Sequence, residues 1–475
     1  MTASLVERHV VIFTAEAWGH YRPVIALAAR LVKIEPVVIT MFTTFRLHER
    51  AKAELSRNFE HGEEASAQRV RLVALGEVEL LRSDAVDQTF TAAWKQLVAE
   101  EPIACALNGE HFPAIIRPRA IILDISHGKL SGYVRALSGG NVKIYTFFPV
   151  QLCALWRILS DEVNHVPGLP PIYDHELFPQ ETFKPSALEA ELFTHWYETL
   201  TVTDGIAVLT TESYERAAVA ALRKWYSDMK KSAYIVGLPI AHGSHASSGE
   251  KIQSKEAGQI EMFLDNASKT SGEKSLLYIS FGSLYWPMND SEKVWAFLDV
   301  VMERSLHFIM THASPFAHVS DAVKNKVQAY GQGILSPWAP QQLILGHPAT
   351  GWFVAHGGQN SVQESIAAGV PQIMWPFGVD QPCNAIHLTD NLDVAYELME
   401  VRSGLGLKPI YRNGKTPVGT IEALKEEARD TLSKAFGEDG AQKRAKLLEL
   451  RQAILAEHED GGLAKRDLEA LANSF

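Results

Sequence analysis

At 475 residues the chain exceeds one ordinary core and suits two domains of roughly 200 residues each. Hydrophobic residues at 46% and charged residues at 21% lie in the globular range. No apolar run approaches the roughly 20 residues of a membrane-spanning helix. A formal charge of -11 argues against a nucleic-acid partner, so any phosphate handled here is met locally, by helix N-termini and a few side chains. Met1 to His9 leads straight into the short apolar run Val10 to Phe13, without the long apolar core and cleavage site of an export signal. Cys105, Cys153 and Cys383 are far apart and in no metal-ligand spacing, so they read as reduced, mostly buried thiols of a cytoplasmic protein.

Short apolar runs alternate with longer amphipathic stretches, the pattern of parallel α/β units. Strands are expected at His9 to Thr14, Pro36 to Met41, Val70 to Leu75, Ala120 to Leu123, Val142 to Phe147 and Gly205 to Leu209, with a helix from Arg22 to Lys33 opened by Pro23. From Ala241 to Gln259 the chain is polar and aperiodic and reads as a linker. A second series follows, near Ser275 to Ser280, His307 to Thr311, Gly351 to Ala355, Gln372 to Met374 and Val394 to Leu398. The expected organisation is a first domain over 1–240, a linker over 241–259, a second domain over 260–435 and helices over 436–475. Those last helices either pack on the second domain or cross back to the first. There is no G-x-G-x-x-G fingerprint and no G-x-x-x-x-G-K-[ST] loop, which weakens a nicotinamide oxidoreductase or P-loop reading.

The richest stretch runs from Trp338-Ala339-Pro340-Gln341 through His347 and Phe353 to His356-Gly357-Gly358-Gln359-Asn360-Ser361, Glu364, Gly369-Val370-Pro371, Pro376 and Asp380-Gln381. Its middle is a strand, a glycine turn and a helix starting near Asn360. Glycine allows close backbone approach, and N–H groups at Asn360 and Ser361 would face an anion such as a diphosphate. Taken alone, Ser361-x-x-Glu364 also matches a capping box that binds nothing.

The joint spacing resembles the nucleotide-sugar signature of the UDP-dependent glycosyltransferases that modify small lipophilic molecules (family 1, GT-B fold). About a dozen positions match within residues 338–381. The likeness extends to Ser280-Phe281-Gly282-Ser283, to Asp204-Gly205 through Glu215, and to Gly19-His20. It implies two Rossmann-like doubly wound domains facing each other across a cleft, the first binding acceptor and the second UDP-sugar. By resemblance, Trp338 stacks on uracil and the backbone near Ala339 and Gln341 reads the base edge. His356, Asn360 and Ser361 with Ser283, beside the turn at Gly358, hold the diphosphate. Glu364 binds the ribose, and Asp380 and Gln381 the sugar hydroxyls. A final Gln accompanies glucose in related plant enzymes, which makes UDP-glucose the expected donor. Where plant members carry Cys and Trp around the turn glycine, this chain has Gly357 and Gln359 around Gly358, as in a fungal or bacterial variant.

His20 follows the first strand, and a histidine can take a proton from a hydroxyl near neutral pH. Asp124 ends another apolar strand. The resemblance makes His20 the base and Asp124 its orienting carboxylate; without it, Asp124 reads as a helix cap. Inversion at the anomeric carbon follows, and the absence of any Asp-x-Asp pair predicts neither metal nor cofactor. Trp18, Phe148 and Trp156 are candidate acceptor contacts, in segments that read equally well as core. The expected reaction is glucosylation of a phenolic, flavonoid or sterol-like hydroxyl by a monomer or weak dimer. The alternatives are a UDP-sugar epimerase or hydrolase and a catalytically silent nucleotide-sugar-binding protein.

Overall fold

The computed structural model describes residues 8–76, 83–159, 163–181, 187–237 and 256–475, with side chains throughout except at 83–87, 156–159, 163, 164 and 187–194. The chain forms two compact units. One comprises Met1–Leu152, Ala187–Gly249 and Ala456–Phe475; the other comprises Cys153–Ser186 and Glu250–Leu455.

The first unit is built on a seven-stranded sheet of β1 (Arg8–Phe13), β2 (Val37–Thr43), β3 (Val70–Ala74), β4 (Ala120–Asp124), β5 (Lys143–Phe148), β6 (Gly205–Val208) and β7 (Ser232–Ile235). Their order is β7-β6-β5-β4-β1-β2-β3, and every pair is parallel. Strands covered on both faces are apolar almost throughout, and the sequences VVITMFT and AIILD are buried at every position. The strand β7 escapes sequence reading because SAYI is short and its first residue is exposed.

The helix after β1, α1, spans Trp18–Ile34 and not Arg22 to Lys33. Pro23 therefore lies in its second turn instead of opening it, and His20 is carried in the first turn of a helix instead of a loop. The apolar face of α1 (Val24, Ile25, Leu27, Ala28, Leu31, Val32) packs in the same core as Val10 and Ile12 of β1.

The chain end completes this unit. Leu468, Leu471, Ala472 and Phe475 of the last helix and its tail join that core. The Arg8 guanidinium donates to the Ala472 carbonyl at 2.9 Å, and the Tyr145 hydroxyl to Ser474 Oγ at 2.8 Å. The Asp467 carboxylate accepts the Ile235 N–H at 2.7 Å.

The second unit holds β8 (Leu276–Ser280), β9 (His307–Thr311), β10 (Gly333–Ser336), β11 (Thr350–Ala355), β12 (Gln372–Met374) and β13 (Ala395–Glu397). The parallel order is β10-β9-β8-β11-β12-β13. The strand β10, GILS, is half-buried at three of its four positions and forms no continuous apolar run in the sequence.

Residues 153–186, read within the first domain from the sequence, cluster with this second unit. Their polar groups bond to its 400–412 stretch. Gln180 donates to the Val401 carbonyl at 3.0 Å, Ser403 N–H to the Pro179 carbonyl at 2.9 Å, and Tyr411 N–H to Glu176 Oε1 at 2.9 Å. Around Glu176, the buried Arg402, Arg412 and Glu397 form an ion-pair cluster. Most of the polar stretch read as a linker lies outside the described residues, and its end, from Ala257, opens the helix Ala257–Ser271.

In both sheets the chain reverses its direction of strand addition once: between β1 and β4, and between β8 and β11. Loops at the carboxyl ends of two such strands diverge to opposite faces and leave a crevice, the usual ligand site of doubly wound sheets. The candidate residues fall at these two points.

Candidate active site

At the reversal point of the first sheet, Phe13 of β1 pairs with Leu123 of β4, so the next residues, Thr14 and Asp124, stand side by side. Asp124 is fully buried. Its Oδ2 accepts a hydrogen bond from His20 Nδ1 at 2.7 Å and another from the Thr14 hydroxyl at 2.8 Å. Its Oδ1 accepts the Ser126 N–H at 2.9 Å, capping the short 3₁₀ turn Ile125–His127. Asp124 thus caps the turn with one oxygen and bonds His20 with the other.

Burial alone would raise the Asp124 carboxyl. The facing His20, by charge and hydrogen bond, His127 and the Ser126 N–H outweigh it and hold the carboxyl well below the usual carboxylate range. An ionised Asp124 can only accept, so His20 carries its proton on Nδ1, and the neutral ring presents the Nε2 lone pair. The His20 side chain keeps 24% exposure, so the imidazole is reachable from solvent.

Three members of this cluster were not read from the sequence: Thr14, Ser126 and His127. The signal for Thr14 was a hydroxyl directly after an apolar strand. For His127, which stacks on Phe13 with centroids 4.6 Å apart, no sequence signal existed. Burial depresses the His127 imidazole, with Asp124 pulling the other way.

Of the three acceptor candidates, the side chains of Trp18 and Phe148 are described. Phe148 is fully buried, edge-on to Trp196 at 6.0 Å. Phe90 and Trp94 are likewise buried core. Trp18 is half-buried beneath the Arg50 guanidinium, 3.7 Å from its ring. The Trp156 side chain lies outside the described residues. Glu215, at the end of the stretch from Asp204, is buried and accepts from the Thr210 hydroxyl and the Leu152 N–H at 2.8 and 3.1 Å, a folding role.

At the reversal point of the second sheet, Ser280 of β8 pairs with Ala355 of β11, so Gly282-Ser283 and His356-Gly357-Gly358 are adjacent turns. Gly282 adopts φ +75°, where an L side chain is strained, and a Cβ there would also meet His356 Cε1 at 2.9 Å. The helix α2 (Gln359–Ala368) starts with Gly358 as its N-cap. Ser361 is therefore the third helical residue and cannot cap, so the capping box is absent. Glu364 instead accepts from the Gln341 amide at 2.8 Å, and Gln341 Oε1 accepts from the Tyr278 hydroxyl at 3.3 Å.

Asn360 and Ser361 occupy the first turn of α2, where N–H groups have no acceptor within the helix. The Gln359 N–H is taken by Asp380 Oδ2 at 3.1 Å, and Asn384 joins the same oxygen to the Gly357 carbonyl. Gln381 Oε1 accepts the Phe377 N–H at 2.9 Å. Asp380 and Gln381, expected to face a sugar, also clamp the loop 376–381 to the glycine turn. Trp338 is half-buried, with its N–H and carbonyl both on the Ser336 hydroxyl, and Ala339 is buried beside it.

His356 is buried, and burial pushes its imidazole down to about 4, the Ser280 backbone pulling part of the way back. It is neutral at pH 7 and offers a hydrogen bond rather than a charge. Among the described residues no three His, Cys, Asp or Glu side chains converge as metal ligands, and no helix is long and apolar enough to cross a membrane. The three cysteines are free and buried.

Residues 192–401 match the family model described as "UDP-glucoronosyl and UDP-glucosyl transferase". The UDP-glycosyltransferase eriJ of Hericium erinaceus is 30% identical, with 90% of each chain aligned. The UDP-glycosyltransferase 72E1 of Arabidopsis thaliana is 26% identical over 99% of this chain and 96% of its own. In fold, the chain superposes on Phytolacca americana UGT2, solved with UDP-2fluoro-glucose and pterostilbene, with a TM-score of 0.72 at 20% identity over 98% and 99% of the two chains. These neighbours have the two-domain parallel α/β architecture of the GT-B fold. On the strength of the Hericium erinaceus match, 30% identical over 90% of each chain, the chain belongs to the UDP-dependent glycosyltransferase family.

Proposed function

We propose that the protein transfers glucose from UDP-glucose to a hydroxyl of a small, largely apolar acceptor, with inversion at the anomeric carbon and without a metal ion. The observation that carries this reading is the 2.7 Å bond from His20 Nδ1 to the buried Asp124 carboxylate. A silent carrier of the same fold has no use for a carboxylate-oriented imidazole.

His20 Nε2 removes the acceptor proton as the oxygen attacks the anomeric carbon, and Asp124 stabilises the imidazolium that forms. The C1–O bond to the diphosphate breaks on the opposite face, so an α-linked donor yields a β-glycoside and UDP. Ser283, Gly358, Asn360 and Ser361 offer the leaving diphosphate their turn and helix N-terminus, and His356 adds a neutral hydrogen bond. Trp338, Ala339 and Gln341 take the uracil and Glu364 the ribose. Asp380 and Gln381 take the sugar hydroxyls in addition to their backbone bonds; a carboxylate has about four acceptor sites. The lack of an Asp-x-Asp pair in the sequence supports metal independence. The neighbour holding a fluorinated UDP-glucose and pterostilbene supports glucose and an aromatic acceptor.

The test is His20→Ala. Transfer to an aliphatic alcohol is expected to fall by about 10² to 10⁴, UDP affinity to stay near wild type, and transfer to a nitrophenol or thiol, already partly ionised, to fall less. Near wild-type glucosylation of the alcohol would show that His20 is not the base.

A further inference from the structure

His356 sits in a cage that the donor motif does not account for. The backbones of Gly282 and Gly358 approach so closely that a Cβ would stand 2.9 Å from Cε1 at the first and 2.6 Å from Nε2 at the second. The Tyr285 ring lies across the imidazole, with centroids 5.7 Å apart and planes 28° apart. Phe377 supports Tyr285 at 5.8 Å, and is itself packed on Phe281 at 5.5 Å and held through its N–H by Gln381. Tyr285 is half-buried: one side of its ring packs on the core that holds Phe281, Trp286 and Phe377, and the ring also faces His356.

We propose that Tyr285 is a positioning residue for the donor diphosphate: stacked on His356 and backed by Phe377, it fixes the direction in which the imidazole offers its hydrogen bond and keeps water off the ring. The diphosphate role of His356 rests on the proposed function; the stacking cage does not. Burial is the main cause of the low His356 pKa, so a residue that covers the ring also maintains its neutrality. The titratable groups on the elements around it include Tyr285 itself, Tyr278 of β8, Cys383, Asp380, bound to the Gln359 N–H, and Glu364, bound to Gln341; none of these is among the causes of the His356 shift.

The experiment compares Tyr285→Ala, Tyr285→Leu and Tyr285→Phe with wild type. The His356 ring protons are followed by NMR against pH without ligand, assigned through His356→Gln, and UDP affinity is measured by calorimetry at about pH 6 and about pH 8. In Tyr285→Ala the His356 midpoint is expected to rise by about one unit or more toward that of a free imidazole. UDP binding should weaken about 5- to 20-fold at the higher pH, and less at the lower, where the exposed ring gains charge. Tyr285→Leu should fall between, and Tyr285→Phe, which keeps the ring, should restore both readouts. Unchanged titration and UDP affinity in Tyr285→Ala would overturn the proposal, as would a Phe variant that behaves like Ala. A folded His356→Gln protein that binds UDP as well as wild type would remove the diphosphate role instead, while a shifted His356 titration in Tyr285→Ala would still uphold the cage.

Discussion

Replacing Asp124 by Asn keeps the shape of the side chain and removes what the geometry depends on. One oxygen now takes His20 Nδ1–H and the Thr14 hydroxyl, the other the Ser126 N–H. The Asn amide group must face donors whichever way it turns. Placed toward His20, it forces the proton onto Nε2, and the ring can no longer act as a base. Placed toward Ser126, it opposes an N–H and loses the cap, while His20 keeps its orientation without a counter-charge. In that gentler case the loss is the attraction between imidazolium and carboxylate, about 4 kcal/mol at roughly 4 Å and an effective dielectric of about 20. That corresponds to about 10³ in rate. The assay is UDP release with UDP-glucose and an aliphatic alcohol, with UDP affinity and the urea midpoint measured beside it. The Asp124 carboxyl is depressed in the fold, so its contribution to stability is full above about pH 4 and is lost as pH falls further. The variant should therefore be less stable than wild type at pH 7 and approach it in acid. An Asn variant that turns over within about threefold of wild type would refute the orienting role, whatever its stability.

Three further outcomes follow from the same geometry. Turnover should survive excess EDTA; loss on chelation, restored by magnesium or manganese, would overturn the metal-free account of the leaving diphosphate. Gly358→Ala places a Cβ 2.6 Å from His356 Nε2, so the ring must move, and UDP affinity should drop about tenfold as one hydrogen bond is lost; calorimetry showing wild-type affinity would exclude His356 from the phosphate site. His9 and His356 are both held down to about 4 by burial, so each stays neutral in the fold but would protonate in the unfolded chain. Their contribution is complete above about pH 6.5 and is lost as pH falls toward 4, on the order of 3 kcal/mol each at most. Urea midpoints should decline across that window, His9→Gln should flatten part of the decline, and a flat wild-type profile would contradict the burial argument.

Strand positions were largely legible because parallel strands buried on both faces need unbroken apolar runs, and such runs stand out between amphipathic helices. Most observed strands begin or end within a residue or two of the runs read from the sequence, while SAYI at 232–235 and GILS at 333–336 are edge strands only partly buried and show no unbroken apolar run. The start of α1 was misplaced because Pro23 usually opens a helix; here the turn begun at Trp18 tolerates it in the second turn.

The identities of His20 and Asp124, and of the turn at 356–361, belong to the sequence, since residue type and order at the ends of apolar strands can be read along one dimension. Their function as a set does not. That Thr14 lies level with Asp124 depends on β1 pairing with β4 across more than a hundred residues. That Ser361 is too deep in α2 to cap it, leaving Glu364 to bind Gln341, depends on where the helix begins. That residues 153–186 cluster with the second unit depends on polar groups meeting the 400–412 backbone. Likewise, only packing decides that Phe148 is buried and that His356 is neutral, because desolvation is a property of surroundings and not of a residue.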